Sequence, residues 1–218
     1  MKRLIDRVLH RALLAARHPG TALAPWRGRG LESLDAVRIE CAGPARAAAP
    51  APLMADRTFR LAARKVFPHA REAVFDGRSD PLLHEGLRGM ILAARSYGLR
   101  TSVATDAVLL EEGEICALLS AGTDRLAVFS GGEPRAERNL GILAKVMRKT
   151  GAGRPVLERV PPGLPAPRGR CVDVAWDGGV YAGGALRRSP APPPIGWIGE
   201  LSPREILLAA RRGSNPGS

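Results

Sequence analysis

The chain has 218 residues, 45% of them hydrophobic and 25% charged, enough for one domain with a buried core and too apolar for wholesale disorder. Its net charge of +12 is almost all arginine, since only Lys2, Lys65, Lys145 and Lys149 are lysine, and the arginines are scattered among few aromatics (4%), which argues against a nucleic-acid partner. No apolar stretch approaches the about 18 residues of a membrane span, and three cysteines without metal-type spacing exclude a disulfide framework, so a cytoplasmic location is the default expectation.

Residues 2–17 place Leu4, Ile5, Val8, Leu9, Ala12, Leu13 and Ala16 on one helical face, with His18, Pro19 and Gly20 as a stop. Arg7 and Arg11 interrupt the apolar run, which argues against a secretory signal. A Gly- and Pro-rich linker follows to residue 33, then a strand over Leu34 to Glu40 and a proline-rich loop. A helix over Arg57 to Val66 is expected, with Asp56 as its N-cap.

Three strand–helix units come next: EAVFDG into HEGLRGMILAARSYG, RTSVATD into LEEGEICALLSAG, and RLAVFSG into PRAERNLGILAKVMRKTG. Gly98, Gly122 and Gly151 stand where a left-handed cap ends each helix. Alternation of this kind predicts a parallel sheet covered by helices, with any ligand beyond the carboxyl ends of the strands. That rule selects one rim made of Asp76 to Asp80, Thr105 to Ala107 and Ser130 to Gly132.

A further strand over Arg154 to Val160 is followed by PPGLPAPRGR, which ends the alternation. The remainder reads as a hairpin turning at Asp177, Gly178 and Gly179, a Pro-rich connector, and a last helix with Ser202 as cap, Pro203 at its first position and Glu205 closing a capping box.

The order of these motifs over about residues 34–212 resembles the radical S-adenosylmethionine (radical SAM) superfamily with a SPASM-like C-terminal extension. DGRSDPLLH is similar to the family's GGEPLLH segment, which grips the amino group of S-adenosylmethionine, with Asp80 where Glu is usual and Arg78 and Ser79 for small glycines. TSVATDAVLL is similar to TNGTLL, keeping Thr105 with Asp106 for Asn and Ala107 for Gly. AVFSGG is similar to SLDG, keeping Ser130 and Gly132. WDGGVYAGG and IGELSPREILLAARRGS resemble the extension.

The resemblance implies an α/β fold, an incomplete parallel (β/α) barrel of the radical SAM type with a short C-terminal hairpin–helix module. It divides the chain into an N-terminal helix and linker (1–33), a partial barrel (34–160) and the extension (161–218). It implies a cofactor-binding set of Gly77, Ser79, Asp80, Thr105, Asp106 and Ser130, with S-adenosylmethionine as the candidate cofactor and no metal ligands.

The family's CxxxCxxC loop, whose thiolates hold an iron–sulfur cluster, is replaced. One register places Ala45, Ala49 and Pro52 at the ligand positions, and the other leaves Cys41 as the single thiol. An iron–sulfur cluster is therefore not expected. The resulting expectation is a cluster-less binding or partner subunit, a pseudoenzyme with no catalytic residues, taking a small-molecule, peptide or protein partner. Two enzymatic alternatives stay open: a cluster supplied with help from a partner chain, and a non-radical use of S-adenosylmethionine.

Each candidate also has a structural reading. Asp80 can cap the turn before Pro81, and Thr105 and Asp106 can satisfy backbone donors. His69 and His84 have no catalytic partner at readable spacing, and Cys116 sits at core spacing. Cys41 and Cys171 serve as structural thiols unless the fold brings them together.

Overall fold

The computed structural model describes residues 33–45, 49–129, 132–153, 155–160, 169–185 and 191–213. The expected N-terminal helix over 2–17, and Ser130 of the expected rim, lie outside them.

Eight strands form one open sheet: β1 (Ala36–Ile39), β2 (Glu72–Phe75), β3 (Arg100–Thr105), β4 (Arg125–Phe129), β5 (Val156–Val160), β6 (Cys171–Val174), β7 (Gly179–Ala182) and β8 (Gly196–Trp197), in the order β5-β4-β3-β2-β1-β6-β7-β8. Five α-helices accompany them among the described residues: α1 (Asp56–Val66), α2 (Leu87–Ser96), α3 (Glu112–Ala121), α4 (Pro134–Thr150) and α5 (Pro203–Gly213).

From β1 to β5 every step moves the same way across the sheet, and all these pairs are parallel. Right-handed crossovers in one direction put every helix on one face. Residues of all five helices accordingly join Val37, Ile39, Phe75, Val103, Leu126 and Val174 in one core. The opposite face carries a small cluster of Ala104, Ala127 and Val160 packed with Phe129.

The chain then returns to the free side of β1, where β6 pairs parallel in the register Arg38↔Asp173. A sixth parallel strand was therefore hidden in the segment read as the first arm of a hairpin. The sequence before it, PPGLPAPRGR, carries no helical pattern, so the alternation that reveals parallel strands is missing there. The hairpin itself forms as expected: β7 runs antiparallel to β6, Gly178 takes φ +93°, and the Asp177 carboxylate accepts the Gly179 N–H at 3.0 Å.

The hairpin and α5 continue the main sheet and its core. Lys65 of α1 ties that helix to the segment between β8 and α5 by donating to the carbonyls of Ile198 (2.8 Å), Gly199 (3.2 Å) and Leu201 (2.7 Å).

At α5 the capping box is present: Ser202 N and Oγ both donate to Glu205 Oε2 at 2.7 Å, and Glu205 N donates back to Ser202 Oγ at 3.3 Å. Asp56 is not the cap of α1. It lies within the first turn and pairs with Arg60 at 2.7 Å, because that exposed ion pair and the helix's positive end both reward an acid one position further in.

Candidate functional site

Val37 and Ile39 face the helices, so alternation turns Arg38 and Glu40 to the opposite face of β1. Arg38 is 3% exposed and lies between two carboxylates, with Nε 3.3 Å from Asp76 and Nη1 3.7 Å from Asp173. Its Nε and Nη1 make no hydrogen bond, so the interaction is one of charge.

Glu40, fully buried, is held by three donors of one residue: Arg78 Nε at 2.8 Å, Nη2 at 2.9 Å and backbone N at 3.1 Å. The bond to Glu40 raises the Arg78 pKa, and the nearby Tyr181 and Asp177 add to the effect. Gly77 is required in this turn, since a Cβ there would lie 2.7 Å from Glu40 Cγ.

At the ends of β2 and β3, Asp80, Thr105 and Asp106 are brought together. Asp80 Oδ1 accepts Leu82 N at 2.8 Å, capping a single 3-10 turn (Pro81–Leu83), while Oδ2 accepts Thr105 Oγ1 at 2.5 Å and Asp106 N at 3.1 Å. Burial, followed by proximity to the Asp106 carboxyl, raises the Asp80 pKa to about 6 against the pull of its hydrogen-bond donors.

Thr105 Oγ1 also accepts Ala107 N at 2.9 Å, and Asp106 Oδ1 accepts Val108 N at 2.9 Å. Ala107 is held at φ +64° with its side chain buried, and Asn139 of α4 donates to the carbonyls of Ala107 and Val108, both at 3.0 Å. A non-glycine residue kept in this region by its surroundings is a sign of a specified rim.

Ser79 joins this rim to the loop after β1, donating to Gly43 O at 2.7 Å and accepting Ala45 N at 3.2 Å. The loop closes on itself through Gly43 N to Pro52 O and Met54 N to Cys41 O, both 2.8 Å. Ala45, Ala49 and Pro52 of this loop carry no thiol or imidazole side chain.

Cys41 points away into the helix-side core, its Sγ 3.7 Å from Met90 Sδ, and burial pushes its pKa far above the ordinary thiol range. Cys171 begins β6 opposite Ala36, on the other face of the sheet and about 16 Å of extended chain from Cys41. Cys116 lies half-buried on α3, its expected core place taken by Ile115 and Leu118. Among the described residues no group of three or more His, Cys, Asp or Glu is placed to hold a metal ion.

His84 has both ring nitrogens in structural use, Nε2 at 2.9 Å from Met54 O and Nδ1 accepting Gly86 N at 3.0 Å. His69 contributes its backbone carbonyl to Leu34 N at 2.7 Å. Arg38, Glu40, Asn139 and Asp173 were not singled out by sequence. The available signal was a charge at an inward position of an otherwise apolar strand, as in AVRIE and CVDV.

No protein-family description and no curated protein matches the sequence. Solved structures do. The crystal structure of BtrN in complex with AdoMet and 2-DOIA has a TM-score of 0.62 at 13% identity, over 83% of this chain and 85% of that one. BtrN in an open conformation gives 0.60 at 12%, over 85% and 86%. The fold is therefore radical SAM-like, with an open sheet. No helix among the described residues is long and apolar enough to cross a membrane.

Proposed function

We propose that this chain is a radical SAM-like binding or partner subunit without an iron–sulfur cluster of its own, a pseudoenzyme that takes an ammonium- or sulfonium-bearing ligand at its strand-end rim. S-adenosylmethionine or a peptide amine has the required chemistry. The observation that carries this reading is the meeting of Asp80 and Asp106 at the rim: Asp80 Oδ2 accepts the Asp106 N–H at 3.1 Å, and burial, with the Asp106 carboxyl adding to it, raises the Asp80 pKa to about 6 on a protein of net charge +12. A cation set beside them favours the ionised carboxylate that burial and the second acid disfavour.

The shared fold with BtrN, a structure solved in complex with AdoMet, supports the choice of ligand. The absence of any iron-ligating atom at Ala45, Ala49 and Pro52 supports a non-redox role. The resemblance of residues 161–218 to a SPASM-like extension belongs to the same reading, with the cysteines of such an extension reduced to Cys171.

Calorimetric titration with S-adenosylmethionine tests it. Because Asp80 is neutral below about 6 and charged above, affinity should rise about tenfold from pH 5 to pH 7. Asp106→Asn should weaken binding and flatten that pH dependence, since it removes one charge and lets Asp80 ionise at lower pH. Absence of binding heat, or affinity independent of both pH and Asp106, would remove the ligand. Iron and acid-labile sulfide in anaerobically prepared protein, with a brown absorbance, would instead favour the enzymatic reading.

A further inference from the structure

Residues of α1, together with Ala93 of α2 and Tyr97 just beyond it, line a groove of about 490 Å³. Its floor is apolar and aromatic: Phe59 and Ala63 of α1 face Ala93 of α2 and Tyr97 just beyond it. The Tyr97 ring is fixed edge-on to Phe67 at 5.7 Å, and Phe67 to Phe59 at 5.8 Å, so the floor is set by an aromatic chain reaching into the core.

Along one wall run Arg57, Arg60 and Arg64, spaced three and four residues apart, so their guanidinium groups share a face about 10 Å long. Only Arg60 has an acid, Asp56, in an exposed pair at 2.7 Å. Arg57 and Arg64 have no ion pair among the described residues. Asp56 is the single acidic lining residue, so the wall is strongly cationic.

The geometry points to a binding site for a small anionic amphiphile, an acyl chain or aromatic ring bearing a carboxylate, sulfonate or phosphate. The apolar body lies on Phe59, Ala63, Ala93 and Tyr97, and the anion is met by Arg57 and Arg64. The volume lies in the range of small-molecule sites. Arginine presents several donors to a planar anion. Charge excludes two other occupants. Residues 2–17 carry Lys2, Arg3, Arg7, Arg11 and Arg17 against one acid, Asp6, and a second copy of the chain brings another +12. Either would set like charge on the arginine wall.

Anilinonaphthalene sulfonate serves as the probe. The native protein should bind one equivalent with enhanced fluorescence, and dodecanoate should displace it while dodecyltrimethylammonium, with the same tail and opposite charge, should not. Arg57→Gln/Arg64→Gln should weaken binding about tenfold or more, the loss of about one charge-assisted contact. Ala93→Trp, which fills the groove, should abolish it. Both variants are checked by thermal melting, and the surface arginine pair keeps the test valid if the tryptophan variant does not fold. Equal displacement by the cationic detergent, unchanged binding in either folded variant, or no binding at all would overturn the proposal. So would sedimentation showing a dimer that Ala93→Trp disperses, which would give the groove to a second copy.

Discussion

Removing the guanidinium of Arg38 would leave Asp76 and Asp173 without their shared cation, in a part of the sheet where all three side chains are at most 3% exposed. Arg38→Met should therefore destabilise the protein by about 3–5 kcal/mol, read from the urea midpoint, because breaking a buried ion cluster costs more than the cluster contributes relative to apolar packing. The opposite sign is expected at Ala107. Its φ of +64° is met without steric cost by glycine, so Ala107→Gly should be neutral or raise stability by up to about 1 kcal/mol. A clear loss of stability would mean that the packing of the Ala107 methyl outweighs its backbone strain. At this scale the sequence was legible where a motif pointed to it: Asp80, Thr105 and Asp106 do meet. Arg38 and Asp173 escaped notice because a charge within a strand ordinarily reads as solvent-facing, and only the pairing of β1 with β6 buries both.

Among the elements, the loop after β1 and the turn after β6 are coupled by a close fit. A Cβ on Gly43 would run into the indole of Trp176, so the two segments leave no room for a side chain between them. Gly43→Ala should displace Trp176 and cost about 1–3 kcal/mol, with a shift in tryptophan emission as the direct readout. An unchanged spectrum would show that the loop yields instead. The strand–helix units of the centre were legible from periodicity and their glycine caps, with Gly122 and Gly151 found at φ +73° and +65°. The sixth parallel strand was not, since four residues, CVDV, carry too little pattern to declare a direction when the sequence before them, PPGLPAPRGR, shows no helical periodicity. A strand's neighbours are a property of the whole sheet and are not written in its own residues.

For the molecule as a whole, the position of β6 against β1 makes the C-terminal segment part of the central sheet, and α5 packs into the same core. One cooperative transition is expected in calorimetry, and a chain cut after Val160 should fail to fold, having lost Asp173 opposite Arg38 and the lock on Lys65. Two separate transitions would show that the segments before and after residue 160 unfold independently. The burial of Cys41 against Met90 then has a practical use. A thiol sealed in the shared interior and kept protonated by burial reacts with an alkylating reagent only when that interior opens. Half-exposed Cys116 should be tagged within the first moments. The slow tagging of Cys41, followed by mass spectrometry, would count the spontaneous openings of the resting protein, a built-in clock that needs neither dye nor denaturant.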